Sequence, residues 1–308
     1  YFIGMEVAWT KNGIYMSQRK YTLDLLQETG MLGCKVTNTT IEPMKRSNSE
    51  EKSPSANKDR YQSLVGRLIY LTHTRPDIGF AVSLARRYMS NPAKAHMKIV
   101  NRILQYLKDT PGRGLYFKKN ANRGIEVYTD SNWARCTSNK KSIAGYCSSV
   151  WENLVTWRSK KQPEVSRSSA EAQFRAMAQG ICEGIWPKQI LKEIRVAINY
   201  TMRILCDNKA TISIEKNLIH HGRTKHMEID RHFIKKKIDP KMINVDHVPS
   251  CRQIADVLTK NLPKSTYESI RSNLDTIDIY HPGGSVENRT NQSETGSDYV
   301  QLTRINCD

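Results

Sequence analysis

The sequence predicts an α/β fold for residues 121–265 of the 308-residue chain, with a mixed five-stranded sheet flanked by helices. Alternating apolar residues predict three consecutive strands at the start of this region, and a long helical pattern follows them. Two further apolar strand segments then alternate with helical patterns. This order of elements is typical of α/β proteins in which parallel and antiparallel strands share one sheet.

An α-rich region that starts with a hairpin precedes the α/β region. Residues 1–18 predict a β-hairpin, because Asn12 and Gly13 form the Asn-Gly pair that favours a type I′ turn. A helix is predicted over 20–29, and we take 1–43 as the first segment of the chain.

The next segment, 44–58, lacks a core-forming periodicity, so we interpret it as a linker or a long surface loop. Apolar residues near a helical period then predict an α-helical connecting region at 59–120. Its three helices are predicted at 61–72, 77–90 and 94–108.

Within the α/β region, the first strand runs from 124 and delivers Asp130 at its carboxyl end. The other strands are predicted at 142–147, 154–157, 202–207 and 243–248, and the helices at 169–194, 211–216, 227–237 and 253–261. Pro187 removes a backbone donor inside the longest helix, so we expect a kink or break near 184–187. Residues 266–308 end in a segment rich in Gly, Ser, Asn and Thr, which predicts a largely disordered tail.

The chain is strongly basic, with 48 Lys and Arg against 30 Asp and Glu and a formal net charge of +18. This charge favours a polyanionic partner, nucleic acid before an anionic membrane surface; the alternative is a basic protein with no such partner. No apolar run of roughly 18 residues is present, so we predict no membrane-spanning segment. The chain begins without Met in a strand-like segment, and we expect it to be a piece of a longer polypeptide.

Four acidic residues lie at the edges of predicted elements in the α/β region. They are Asp130, Glu171, Asp207 and Asp256. Each has a structural alternative, because acids also start turns, cap helices and stabilise the first helical turn. Glu171 with Ser168 fits a capping box in particular. Taken together, two strand ends and two helix starts form a constellation that we expect to converge.

Helical periodicity distinguishes Glu171 from its neighbour Gln173. At about 100° per residue, Glu171 lies within roughly 40° of Ala178, Cys182 and Ile185. Glu171 is therefore predicted to lie at the N-terminal end of the apolar, sheet-facing side of the long helix. Gln173 is predicted to point to the opposite side.

Four converging carboxylates repel one another and raise their own pKa values, so they need a cation. Oxygen ligands suit Mg²⁺, with Mn²⁺ as the alternative, and the seven cysteines show no Cys-x-x-Cys pair or zinc spacing. Two such ions about 4 Å apart can clamp a phosphodiester, one activating water and the other stabilising the leaving 3′ oxygen.

Two other catalytic interpretations are weaker. Five histidines cluster loosely in sequence, but cations surround them and disfavour a metal site. They are His220, His221, His226, His232 and His247. Ser168 and Ser169 could suggest a nucleophilic serine, but no Gly-x-Ser-x-Gly elbow surrounds them.

Two basic segments are predicted to grip phosphates. The first combines Trp157 with three cations, Arg158, Lys160 and Lys161. The second contains Arg223, Lys225 and His226. The alternatives are a buried tryptophan at a strand end for the first segment and a solvated helix face for the second.

An ordered series of motifs resembles the end of the reverse-transcriptase region and the ribonuclease H domain of Ty/copia-type retrotransposon polyproteins. The motifs are Tyr-Thr-Asp-Ser-Asn-Trp at 128–133, Lys-Ser-Ile-Ala-Gly-Tyr at 141–146, Ser-Lys-Lys-Gln-Pro at 159–163, Ser-Ser-Ala-Glu-Ala at 168–172, Cys-Asp-Asn at 206–208, Arg-Thr-Lys-His at 223–226 and Ala-Asp-Val-Leu-Thr-Lys at 255–260. Leu-Val-Gly-Arg-Leu-Ile-Tyr-Leu at 64–71 and Thr-Arg-Pro-Asp at 74–77 resemble the family's segment between the two enzymes. The resemblance covers about residues 1–262.

The resemblance implies a ribonuclease H-like domain at 121–265 that cleaves the RNA strand of RNA–DNA hybrids. It assigns 1–43 to the end of the reverse-transcriptase region. It implies metal binding by Asp130, Glu171, Asp207 and Asp256, and adds Asn208 to the residues that contact nucleic acid. The implied partners are the hybrid and an upstream reverse-transcriptase domain. The implied location is the cytoplasm, in virus-like particles, with entry to the nucleus.

The sequence also departs from the family pattern. It contains no Asp-Asp pair, so the polymerase motif Tyr-x-Asp-Asp is absent and polymerisation is expected to belong to upstream sequence. Trp151 and Glu152 stand where the family usually has Gly-Gly, and Gln173 stands where it usually has Glu. No His lies within 248–256, before the last aspartate. The alternatives to an active nuclease are an inactive nucleic-acid-binding relic and a structural connector for the polymerase.

Overall fold

The computed structural model describes residues 4–42, 53–136, 139–196, 200–216, 225–238 and 242–280. The side chains of 213–216, 225–229, 231 and 238 lie outside that description. The chain divides into two compact units. The first unit comprises Tyr1–Lys119 and Asp275–Asp308, and the second unit comprises Asn120–Leu274.

The first unit contains an antiparallel four-stranded sheet with the order β1-β2-β3-β9. Its strands are β1 (Glu6–Thr10), β2 (Gly13–Ser17), β3 (Arg113–Lys118) and β9 (Thr276–Asp278). Strands β1 and β2 form the predicted N-terminal hairpin, with Thr10 paired to Gly13. Strands β3 and β9 were not predicted, because short strands far apart in sequence are recognisable only through their pairing.

Four helices complete the described part of the first unit. They are α1 (Arg19–Glu28), α2 (Lys58–Leu71), α3 (Gly79–Arg86) and α4 (Lys94–Asp109). Apolar residues of α2, α3 and α4 are fully buried, which confirms the predicted α-rich region. Most of the predicted linker, 44–52, lies outside the described residues.

A buried polar network lies between these helices. Arg75 donates two hydrogen bonds to Asp77, at 2.8 and 2.9 Å, and a third at 2.7 Å to the carbonyl of Thr110. The Tyr106 hydroxyl donates to Asp77 at 2.6 Å. Burial opposes ionisation of Asp77, but the adjacent Arg75 guanidinium outweighs it and lowers the pKa of Asp77 to about 2.

The second unit contains the predicted mixed five-stranded sheet, with the order β6-β5-β4-β7-β8. Its strands are β4 (Ile125–Asn132), β5 (Ile143–Val150), β6 (Asn153–Lys161), β7 (Met202–Cys206) and β8 (Ile243–His247). The first three form an antiparallel meander, whereas β7 runs parallel to β4 and β8 parallel to β7. This is the ribonuclease H-like arrangement that the motifs imply.

Helix α5 (Ser169–Glu193) packs against the centre of this sheet. Phe174, Met177 and Ile181 join residues of β4 and β7 in one buried apolar cluster. The approach is close at Gly180, where a Cβ atom would lie 2.5 Å from the Thr129 side chain. The other described helices of the unit are α6 (Lys209–Lys216), α7 (Lys225–Ile238) and α8 (Lys264–Ser272).

The predicted break at Pro187 is wrong, because α5 continues through this residue to Glu193. Pro187 is itself buried, and Leu191 one turn later still belongs to the apolar cluster. Packing on both sides of the proline therefore outweighs the loss of one backbone hydrogen bond.

The turn between β5 and β6 carries backbone strain. Trp151 and Glu152 have positive φ values of 53° and 64°, a conformation that costs a residue with a side chain roughly 1–2 kcal/mol. Glycine adopts this conformation without that cost, which fits the Gly-Gly that the resemblance leads us to expect here. Trp151 packs against the apolar cluster, and the Arg123 guanidinium lies 4.1 Å from its ring centre.

The region after residue 250 differs from its prediction. A helix was expected over 253–261, but the chain forms two 3₁₀ segments, Ser250–Arg252 and Ile254–Leu258. Helix α8 and strand β9 fall partly or wholly in the predicted tail, and 281–308 lies outside the described residues. Among the described helices, none has the length and apolar character needed to cross a membrane.

Candidate metal centre

Three of the four predicted acids converge at one edge of the second sheet. Asp130 lies near the end of β4, Asp207 directly follows β7, and Asp256 lies in the 3₁₀ segment Ile254–Leu258. Strands β4 and β7 are parallel neighbours, so their carboxyl ends meet. One carboxylate oxygen from each aspartate lies within 4.8 Å of the other two. We call these residues the aspartate cluster.

The aspartate cluster concentrates negative charge in a buried place. Asp130 is 3% exposed and Asp256 is 6% exposed. Burial, together with the charge of Asp130, raises the pKa of Asp256 to about 7. Burial also raises the pKa of Asp130, in spite of a nearby ammonium group. A cation at the cluster would reverse both effects by stabilising the ionised forms.

Lys260 supplies that ammonium group. Its Nζ lies 2.7 Å from Asp256 Oδ1 and 3.3 Å from Asp130 Oδ1. Burial opposes its charge, but the carboxylates of Asp130 and Asp256 outweigh burial and raise the pKa of Lys260. One lysine thus faces three carboxylates, which leaves two negative charges when all groups are ionised.

Two hydroxyl groups fix the orientation of the carboxylates. Thr259 donates a short hydrogen bond from Oγ1 to Asp130 Oδ2. Ser250 donates from Oγ to Asp207 Oδ2 at 3.1 Å. The sequence indicated neither these hydroxyls nor Lys260, since their role depends on how the chain returns to the sheet after β8.

The structure does not bring Glu171 to the aspartate cluster. Glu171 is 4% exposed, but its Oε1 accepts from Arg175 at 2.8 Å and its Oε2 from the Arg167 backbone N–H at 2.7 Å. Its own N–H donates to Ser168 Oγ at 3.1 Å. These contacts resemble the capping-box alternative, in which Glu171 serves the helix terminus.

Gln173, which was predicted to point away from the sheet, faces it instead. It is 2% exposed, and its Nε2 donates to the Thr129 carbonyl at 2.9 Å. Its Oε1 accepts from Ser131 Oγ at 2.9 Å. The helical projection failed here because every residue from 171 to 178 is buried, so the start of α5 has no single buried face.

A cavity of about 510 Å³ opens at this edge of the sheet. Its lining includes two residues of the cluster, Asp130 and Asp207, together with Ser131, Ser169, Gln173, Asn208, Lys209, His247 and Lys260. His247 is the last residue of β8 and lies just before the stretch in which we sought a histidine. The signal that could have revealed it is its position at a strand end.

The residues predicted to bind nucleic acid differ in their exposure and in their distance from the cavity lining. In β6, Arg158 and Lys160 are exposed, whereas Trp157 and Lys161 are half-buried. Asn208 lines the cavity and accepts from the Thr211 backbone N–H at 3.1 Å. Arg223 lies outside the described residues. The backbone of Lys225 and His226 begins α7, but their side chains also lie outside that description.

The donor set of the aspartate cluster fits a hard divalent cation. Carboxylate oxygens at strand and turn ends are ligands that suit Mg²⁺ and Mn²⁺. Cys206, which directly precedes Asp207, is a soft donor at this edge, and burial raises the pKa of its thiol to about 11, which keeps it protonated. The arrangement therefore favours an oxygen-ligated ion.

The strand order and the flanking helices give the second unit a ribonuclease H-like fold. Most of the chain resembles retrotransposon Pol polyproteins in sequence. The Pol polyprotein from transposon RE1 of Arabidopsis thaliana is 34% identical over 274 residues, which are 89% of this chain and 19% of the relative. The corresponding polyprotein from transposon TNT 1-94 of Nicotiana tabacum is 32% identical over 276 residues, which are 86% of this chain and 21% of the relative. The chain belongs to the family of copia-type retrotransposon Pol polyproteins.

Other comparisons complete this picture. An uncharacterized mitochondrial protein of Arabidopsis thaliana is 38% identical over 186 residues, 60% of this chain and 77% of that protein. The chain spans about a fifth of the length of the Pol polyproteins it matches. A scan against protein-family models gave no match.

Two solved structures also match parts of the chain. A ribonuclease H1 isolated from compost covers 50% of this chain with 99% of its own, at 15% identity and a TM-score of 0.35. The foamy viral protease-reverse transcriptase in complex with RNA/DNA hybrid covers 85% of this chain with 30% of its own, at 12% identity and a TM-score of 0.42.

Proposed function

We propose that the second unit is a metal-dependent endonuclease that hydrolyses the RNA strand of RNA–DNA hybrids during retrotransposon reverse transcription. The observation that carries the proposal is the convergence of Asp130, Asp207 and Asp256 within 4.8 Å beside an open cavity. Membership of the Pol polyprotein family supports the substrate class, and the net charge of +18 suits a polyanion.

In this proposal Asp130, Asp207 and Asp256 hold the divalent metal, with Mg²⁺ as the expected ion and Mn²⁺ as the alternative. A bound divalent ion would activate water and stabilise the departing 3′ oxygen. Thr259 and Ser250 hold two of the carboxylates in place. Pre-set ligand orientation matters, because loss of a partner that orients a ligand typically costs about 10- to 100-fold in metal affinity or activity.

Hydrogen-bond donors around the cavity would bind the hybrid. Lys209 and His247 line the cavity and can donate hydrogen bonds to phosphate oxygens. We keep the predicted contacts as part of the proposal: Trp157, Arg158, Lys160, Lys161, Asn208, Arg223, Lys225 and His226. An upstream reverse-transcriptase domain would supply polymerisation, and the complex would work in cytoplasmic virus-like particles.

The second candidate function is a nucleic-acid-binding relic without catalysis. Two observations favour it: the amide of Gln173 lies at the cavity, and the ammonium of Lys260 lies among the carboxylates. Both reduce the negative charge that would attract divalent ions. The two candidates differ in turnover and not in fold or charge.

A cleavage assay distinguishes them. Labelled RNA–DNA hybrid is incubated with the full chain in Mg²⁺, in Mn²⁺ and in EDTA, with a DNA duplex of the same sequence as control. We expect cuts in the RNA strand only, with a divalent ion present, and at least about 100-fold slower cutting by Asp130→Asn with hybrid binding retained. Hybrid binding without any metal-dependent cutting would support the relic, and equal cutting of the DNA duplex would reject the ribonuclease H assignment.

A further inference from the structure

Gln173 lies near the start of α5, at the edge of the sheet that carries the aspartate cluster. Its side chain lines the cavity together with Asp130 and Asp207. Its Nε2 donates to the Thr129 carbonyl and lies 3.3 Å from Cys206 Sγ, so it touches the residue that precedes each of those aspartates. Gln173 therefore spans the gap between the two strand ends that carry the cluster.

Glu171 cannot supply the carboxylate that is missing at position 173. Both of its carboxylate oxygens are engaged, one by Arg175 and the other by the Arg167 backbone N–H. Arg175 is itself buried and also lies 3.1 Å from Glu164. Turning Glu171 towards the cavity would break a buried ion pair and an N-terminal contact of α5.

The surroundings of Gln173 can accommodate a carboxylate whose second oxygen turns from the Thr129 carbonyl towards the cavity, because two acceptors 2.9 Å apart would repel. Ser131 Oγ already donates to Oε1 and would donate equally to a carboxylate oxygen. The Thr129 carbonyl would keep a donor, because Gln253 Nε2 also donates to it at 3.1 Å. A glutamate at 173 would thus leave no orphaned backbone group.

Charge balance shows what such a carboxylate would change. The three aspartates and Lys260 sum to two negative charges, which one divalent ion neutralises. A fourth carboxylate raises the sum to three, and to four if Lys260 turns outward, as its partly exposed side chain allows. Four negative charges match two divalent ions.

We propose that the side chain at position 173 sets the number of divalent ions held at this edge of the sheet, and that Gln173 restricts the wild-type chain to one. Gln173→Glu adds one ion. The inference rests on the proposed metal site and deepens it, because it names the residue that separates a one-ion centre from a two-ion centre.

The experiment counts bound ions on the full chain. Mn²⁺ is titrated calorimetrically into metal-free wild type and Gln173→Glu, and electron paramagnetic resonance reports whether the bound Mn²⁺ ions are isolated or magnetically coupled. We expect one isolated ion in the wild type and two coupled ions in Gln173→Glu. Two ions in the wild type, or equal numbers in the two proteins, would overturn the proposal.

Two control variants separate a local effect from a general one. Gln162→Glu makes the same change at another buried glutamine, which donates to the Ala172 carbonyl and accepts from Ser166. Glu171→Gln removes the acid that the structure directs away from the cavity. We expect the wild-type ion count in both controls, and an added ion in Gln162→Glu would overturn the proposal.

The ion count is independent of turnover. If hybrid cleavage is absent but Gln173→Glu gains an ion, the proposed function fails and the assignment of position 173 stands. If hybrid cleavage occurs and the ion count does not change, the proposed function stands and the assignment of position 173 fails. If Gln173→Glu folds only with Mn²⁺ present, the number of ions bound by the wild type still tests the proposal. Two bound ions in the wild type would overturn it.

Discussion

Each unit of the chain buries a carboxylate, and the two respond to burial in opposite ways. In the first unit, Arg75 and Tyr106 donate to Asp77, and the pKa of Asp77 falls to about 2. In the second unit, Asp256 shares the ammonium of Lys260 with Asp130, and its pKa rises to about 7. Both aspartates are nearly inaccessible to solvent, so the supply of cations and donors causes the difference.

The comparison separates a structural acid from a proposed metal ligand. Asp77 has enough donors to remain ionised without any ligand, and it links α4 to the segment before α3. The aspartate cluster has more carboxylates than cations, so it is stable only with protons or with an added cation. A shortage of positive charge among buried acids is thus what we expect of a site that binds a cation.

The largest effect should follow from Asp77→Asn. The change keeps the shape of the side chain but leaves the buried Arg75 guanidinium without its counter-charge. Breaking one side of a buried ion pair costs about 3–5 kcal/mol, so we expect a loss of that size in the free energy of unfolding. Urea denaturation followed by circular dichroism measures it. A loss below about 1 kcal/mol would show that the network contributes little.

The dependence of stability on pH should distinguish the two sites. Asp256 has a folded-state pKa raised from 3.8 to about 7, so the folded state holds a proton that the unfolded state has lost between these values. The stability that this proton contributes is present at low pH and is lost as pH rises from about 4 to 7. The free energy of unfolding falls by at most about 1.4 kcal/mol per pH unit in this range. Asp77, with its lowered pKa, contributes stability that is lost as pH falls towards 2.

Asp256→Asn is the matched test of this pH dependence. The variant should flatten the decline between pH 5 and 7 in metal-free buffer, while the decline below pH 4 remains. Urea midpoints at pH 3, 5, 6 and 7 for both proteins provide the measurement. An unchanged slope between pH 5 and 7 in the variant would mean that Asp256 is not the group that titrates.

A smaller effect is expected from Lys260→Met. Removal of the ammonium leaves Asp130 and Asp256 without their shared cation, but the lysine is partly exposed and solvent screens the interaction. We expect a loss of about 1 kcal/mol in the metal-free protein at pH 7.5, and a larger stabilisation by added Mn²⁺ than in the wild type. A smaller stabilisation by Mn²⁺ than in the wild type would instead mean that Lys260 assists ion binding.

The sequence predicted much of the second unit because its signals are local. Alternating apolar residues located β4, and the acids at the ends of β4 and β7 indicated where the cluster would form. The structure places Asp256 beside Asp130 and Asp207, although it lies in a 3₁₀ segment and not in the predicted helix.

Other features depend on tertiary contacts that no local pattern reveals. Gln173 lines the cavity where Glu171 was expected. Helical periodicity could not predict this, because the start of α5 is buried on all sides. Strand β9 forms only by pairing with β3, which lies more than 150 residues earlier. The role of Lys260 depends on the return of the chain to the sheet after β8.

The central claim is that three aspartates, without Glu171, form a site for a divalent cation. The most direct test is the change in thermal unfolding midpoint on adding Mn²⁺ at pH 7.5 to wild type, Asp207→Asn and Glu171→Gln. Binding to the folded state alone stabilises it by about 2.7 kcal/mol when the ion is at 100 times its Kd. We predict that wild type and Glu171→Gln show this stabilisation and that Asp207→Asn loses most of it. A full response in Asp207→Asn, or its loss in Glu171→Gln, would contradict the account.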